Sequence, residues 1–250
     1  MNNRIIKNIE IISAILLGVL PIGLIIGTAV SETIIIFVNI LFLIVFLHER
    51  NFFLIKKKEI LYLMIIWIYL LINCLAANNS QLALSRSVFF FRYILLIMAI
   101  SHLFKNINYQ KIIFIIWSII ISIVTFDIYY EFFSGKNILG YISADGTRIV
   151  SFMKDELRIG SLVLAFFLFV INFWNIILIE KKISFKFKNL IYVLEILILI
   201  GIFLTGERAV TFKALICFIF LIFSKEFKHK ILIRSEEHTS ELQSRFGISY

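Results

Sequence analysis

Two polar stretches hold most of the residues in this chain that could do chemistry. Ser134–Ser161 reads SGKNILGYISADGTRIVSFMKDELRIGS and gathers Asp145, Arg148, Lys154, Asp155, Glu156 and Arg158, with Gly135, Gly140, Gly146 and Gly160 among them. A shorter cluster follows at Thr205-Gly206-Glu207-Arg208. Arginine side chains grip phosphate oxygens as a two-pronged fork, and carboxylates serve as general bases or orient hydroxyl groups. Those are the two chemistries this set offers. Structural roles compete with them: Asp155-Glu156 as a charge pair at a helix N-terminus, and Glu207-Arg208 as an ion pair closing a tight turn.

The elements that must position these residues are apolar. Of 250 residues, 61% are hydrophobic and only one is proline; the mean hydropathy is +0.98. Soluble domains sit near ~45–50% apolar, so the composition is that of a membrane protein. The net charge of +9 would point to nucleic acid in a soluble protein. Here the Lys and Arg residues gather in short loops between apolar runs, which excludes a nucleic-acid partner in favour of the positive-inside pattern. Cys74 and Cys217 both lie in apolar runs without metal or redox spacing.

Apolar runs close to the ~20 residues needed to cross the hydrocarbon core recur at Ile11–Val30, Thr33–Leu47, Ile60–Ala77, Val88–Phe104, Ile112–Phe133, Ser161–Ile179, Leu190–Thr205 and Ala209–Phe223. They lack period-2 alternation, so an all-α, polytopic bundle of about eight spans is expected rather than a barrel. The first run has no A-x-A-like site and reads as a span, not a cleaved signal. Basic residues mark alternate loops: Arg4 and Lys7; Arg50 and Lys56–Lys58; Lys105 and Lys111; Lys181, Lys182, Lys186 and Lys188; then Lys225, Lys228 and Lys230. The 134–161 loop is the exception, with four basic residues balanced by three acids. This bias sets the N-terminus in the cytoplasm and both polar clusters outside, in the periplasm of a bacterium. Arg92 is then expected about one turn inside its span, and Asp127 near the outer end of the fifth. Snorkelling of Arg92 and Lys213, or pairing with Asp127, is the structural alternative to a polar cavity.

From Arg234 the character changes. Codons for RSEEHTSELQS can spell a widely used sequencing-library adapter, and the closing ISY fits that adapter's continuation. Residues 234–250 are therefore expected to be adapter-derived, and the native chain to continue past Ile233.

The motifs Gly146-Thr147-Arg148, Lys154-Asp155-Glu156-Leu157-Arg158-Ile159-Gly160-Ser161 and Leu204-Thr205-Gly206-Glu207-Arg208-Ala209 resemble those of the bacterial O-antigen ligase and O-antigen polymerase family. Leu20–Gly27 and Phe91-Arg92-Tyr93 are similar to stretches of the same group, so the likeness covers most of residues 10–225; Asp-Glu-Leu and Gly-Glu-Arg are its specific part. The resemblance implies a partial membrane domain over residues 1–233 of a polytopic glycosyltransferase that works without metal or cofactor. Its partners would be an undecaprenyl-pyrophosphate-linked glycan donor and a glycan or lipid A-core acceptor, met at the periplasmic face of the inner membrane during lipopolysaccharide or other surface-polysaccharide assembly. The family's later periplasmic loop, with a further Arg and a His, is absent here, so the 250 residues alone are expected to be inactive. Without metal, guanidinium groups must carry the negative charge developing on the departing pyrophosphate. Arg208 would lead, helped by Arg148 or Arg158, with Asp155 or Glu156 as base or acceptor guide, and Lys154, Glu207 and Arg92 binding substrate. A transporter or flippase of lipid-linked glycans is the alternative; it explains buried charges equally well, but no duplicated segment of the kind common in transporters is visible.

Overall fold

A computed structural model describes residues 3–49, 57–77, 79–142, 148–153, 158–180 and 185–219; of residues 3, 175–180 and 185–188 it describes the backbone alone. The described residues form helices α1 (Asn3–Ile26), α2 (Thr28–Glu49), α3 (Lys58–Asn73), α4 (Ser80–Leu103), α5 (Ile107–Ser134), α6 (Ile159–Glu180) and α7 (Phe185–Leu204), followed by α8 over 208–219. Single 3-10 turns lie at Cys74–Ala76 and Ser151–Met153, and no strand occurs among the described residues. Five helices, α1 to α5, are long and apolar enough to cross a membrane, while the apolar helices Ile159–Trp174 and Asn189–Leu204 are shorter.

Several helices begin or end outside the apolar runs because polar side chains cap or continue them. Asn79 accepts the Leu82 N–H at the start of α4, and Asn106 accepts the Asn108 N–H at the start of α5, each satisfying a backbone donor that a helix start leaves free. α4 thus gains eight residues ahead of Val88. In α2, Ser31 and Thr33 donate to the Thr28 and Ala29 carbonyls, so the helix starts before its apolar run does. One residue, Gly27, separates α1 from α2, with φ of +150° that a side chain would strain.

Pro21 sits inside α1 and has no N–H to offer the Leu17 carbonyl one turn back. The buried indole of Trp117, on α5, donates to that carbonyl at 3.1 Å, so the bond lost within α1 is replaced by one between helices. Around it lies the larger core, where Ile113, Trp117, Ile121 and Ile128 of α5 meet Leu17 of α1, Phe167 of α6 and Ile202 of α7. A smaller core joins α2, α3 and α4 through Val38, Phe42, Ile60, Ile94 and Met98. Many Ile, Leu and Phe side chains also face outward, as a lipid-facing surface requires.

Candidate functional site

The polar loop after α5 is seated on two carboxylates of that helix. Asp127 and Glu131 are four residues apart, so both project from one face, and both are buried. Asp127 accepts the Ile138 N–H at 2.8 Å through Oδ1 and the Ser151 hydroxyl through Oδ2. Glu131 accepts the Val150 N–H at 3.1 Å and the Ser151 N–H at 2.6 Å, one on each oxygen. Asn137, also buried, closes the loop: its Nδ2 donates to the Ser151 carbonyl, and its Oδ1 accepts the Tyr141 N–H. Ser151 pays for this convergence with a φ of +48°, a conformation unusual for a residue with a side chain. Buried charge demands such partners, because an unpaired carboxylate away from water is costly.

A third carboxylate ties the other polar cluster to the end of the same stretch. Glu207 accepts the Gly160 N–H at 2.6 Å and the Ser161 hydroxyl at 2.9 Å, so its negative charge sits at the N-terminus of α6, where the helix dipole favours it. The packing leaves room only for glycine: a Cβ on residue 160 would lie 2.6 Å from Thr205 Oγ1 and 3.0 Å from Glu207 Oε1. The turn between α7 and α8 and the end of the 134–161 stretch are therefore in direct contact, at one end of the bundle.

Arg208 is the first residue of α8 and is exposed; Arg158, just ahead of α6, and Arg148, just ahead of Ile149 and Val150, are exposed too. Among the described residues no ion pair joins Glu207 to Arg208. The carboxylate is committed to α6 instead, and the turn-closing ion pair considered from the sequence is not formed. Lys154, Asp155 and Glu156, along with Asp145, lie outside the described residues.

Arg92 lies on α4 and is held by α2. Because α4 starts at Ser80, Arg92 is about three turns into the helix, not one. Its Nη2 donates to Glu32 at 2.7 Å and to the Tyr93 hydroxyl at 3.0 Å, and that hydroxyl donates in turn to Glu32. The guanidinium carbon is 4.9 Å from the Tyr93 ring centroid, within cation–π range. Asn39 donates to the Arg92 carbonyl. Glu32, not Asp127, is thus its partner. Arg92 Nε and Glu32 Oε2 are buried without a hydrogen-bond partner. Lys213 is exposed on α8.

Glu131, Asn137 and Ser151 were not singled out by the sequence reading. The four-residue spacing of Asp127 and Glu131, in a helix otherwise almost free of charge, is the signal that could have found them. No family profile, curated protein or solved structure matches this chain. What fold and site define is a class: an all-helical chain with helices able to span a membrane, and polar segments fastened together at one end.

Proposed function

We propose that the protein acts on an undecaprenyl-pyrophosphate-linked oligosaccharide at the periplasmic face of a bacterial inner membrane, transferring or polymerising it in O-antigen or other surface-polysaccharide assembly. One observation carries the reading. The Glu207–Gly160 contact fastens two arginine-bearing segments to each other, so that Arg158 and Arg208, both exposed, flank one junction. The start of α6 at this junction is filled by the Glu207 carboxylate, which leaves the start of α8, opened by Arg208, as the helix N-terminus that favours an anion.

In this reading Arg208 and Arg158 hold the pyrophosphate as it departs, and Arg148 contributes from the loop seated on Asp127 and Glu131. Each guanidinium offers two parallel N–H donors to phosphate oxygens. Glu207 positions the turn, since both its oxygens are occupied by α6. Asp155 or Glu156 receives the proton of the acceptor hydroxyl, or orients it. The carbohydrate C1–O bond to pyrophosphate breaks, a glycosidic bond to the acceptor oxygen forms, and the hydroxyl proton leaves to the base. Arg92 stabilises the Glu32–Tyr93 cluster within the span and takes no part at the pyrophosphate.

The test is reconstitution in proteoliposomes of the gene product as recovered from the genome, with labelled lipid-linked glycan and acceptor. Chain growth or transfer is expected. Translocation of labelled lipid without transfer would make the protein a flippase, and inertness in both assays would reject the reading.

A further inference from the structure

At the opposite end of the bundle, four helices bring a different set of side chains together. Glu10 comes from α1, Glu49 is the last residue of α2, His102 is in the last turn of α4, and Tyr109 is in the first turn of α5. His102 Nε2 lies 2.8 Å from Glu10 Oε1, and its Nδ1 lies 4.0 Å from Glu49 Oε2. One ligand atom from each of these three residues falls within 4.8 Å of the others. The Tyr109 hydroxyl donates to the second oxygen of Glu10 at 2.8 Å. Beside them lies a cavity of about 10 Å³, bordered by Glu10, Ser13 and His102 and otherwise by apolar side chains.

We infer that Glu10, Glu49 and His102 form a binding site for a divalent first-row metal ion of the zinc type. The donor set is the first reason: one imidazole nitrogen and two carboxylate oxygens suit zinc, whereas an all-oxygen set would suit magnesium or calcium and a sulfur set copper(I). Charge is the second. The two carboxylates of Glu10 and Glu49 carry two negative charges, which a divalent cation balances. Geometry is the third. Metal–ligand bonds of about 2.0–2.2 Å set neighbouring ligand atoms roughly 3–3.5 Å apart, so Glu10 and His102 need only part slightly. Glu49, which approaches the other ring nitrogen at 4.0 Å, makes the larger move to reach an ion on Nε2, and it is exposed at a helix end. Tyr109 holds the Glu10 carboxylate in orientation, the outer-sphere support that metal ligands usually have. A solvent water would complete the four-coordinate site. Zinc on Nε2 displaces the proton that would otherwise bridge His102 and Glu10. The site is independent of the arginine-bearing junction and of any glycan chemistry there.

The measurement is zinc binding by titration calorimetry on detergent-solubilised protein, purified through a tag without histidine and stripped with chelator, with cobalt(II) absorption in the visible as a second readout. One ion per chain is expected, with the cobalt spectrum of a four-coordinate site. Tyr109→Phe should weaken binding about 10–100-fold, and His102→Ala more than that. Glu49→Gln, at an exposed position, keeps the comparison open if His102→Ala does not fold, and should also weaken binding. Absence of saturable one-to-one binding overturns the inference, as does binding unchanged in both His102→Ala and Glu49→Gln.

Discussion

Replacing each carboxylate beneath the polar loop by its amide should have unequal effects, and the inequality follows from who donates to whom. Both partners of Glu131 are backbone N–H groups, of Val150 and Ser151. Neither can reverse. Glu131→Gln keeps the shape but turns one acceptor into an NH2 facing an N–H, so one charge-assisted bond is lost and a buried donor is orphaned. A bond to a charged group contributes about 1.5–3 kcal/mol, and an unsatisfied buried group costs about 1–3 kcal/mol; because the two overlap, about 2–4 kcal/mol of local stability should go. At 1.4 kcal/mol per tenfold, amide hydrogen exchange at Val150 and Ser151 should quicken about 30–700-fold if the loop opens locally. Asp127 differs. One of its partners is the Ser151 hydroxyl, which can rotate and accept from an asparagine NH2 while the other oxygen still takes the Ile138 N–H. Asp127→Asn should therefore quicken exchange less than about tenfold. The assay is exchange read by mass spectrometry on the detergent-solubilised protein, with peptides from the middle of α5 as the control for global opening. Equal effects of the two substitutions, or none from Glu131→Gln, would refute the assignment of these carboxylates as the loop's anchors.

Trp117→Phe should cost about 1–3 kcal/mol by orphaning the buried Leu17 carbonyl. Pro21→Ala in the same chain should restore most of that by returning the missing N–H, so denaturant titration of the double variant ought to show strong non-additivity. For topology, Lys136→Cys and Lys105→Cys, both at exposed positions, can be compared in a background lacking Cys74 and Cys217. A membrane-impermeant thiol reagent on intact cells should label the first and spare the second; the reverse pattern would invert the orientation and remove the periplasmic site.

How far the sequence could be read depended on whether the deciding partner was local. The helices follow from unbroken runs of Ile, Leu and Phe, which need no distant information. Their ends did not, because Asn79 and Asn106 cap through side chains that an average of hydropathy treats merely as polar. That error moved Arg92 from near a helix end to its middle. Its partner Glu32 lies 60 residues away, beyond any spacing argument. The contact between Glu207 and Gly160 was likewise out of reach, although positive-inside bias put both clusters on one side, and their meeting at one end of the bundle agrees with it. Ser151 carried no signal at all, since its strained backbone and three hydrogen bonds arise only once the loop is folded onto α5.

The central proposal is that Arg208 grips the carrier pyrophosphate, and the most direct measurement is transfer activity of Arg208→Lys in the reconstituted gene product, normalised to its level in the membrane. Lysine keeps the charge but lacks the two-pronged donor. Loss of such a contact in the transition state should cost about 2–4 kcal/mol, a roughly 30- to 1000-fold fall in rate, with abundance nearly unchanged because Arg208 is exposed and not paired with Glu207. Near-normal transfer by Arg208→Lys would contradict the phosphate-gripping role.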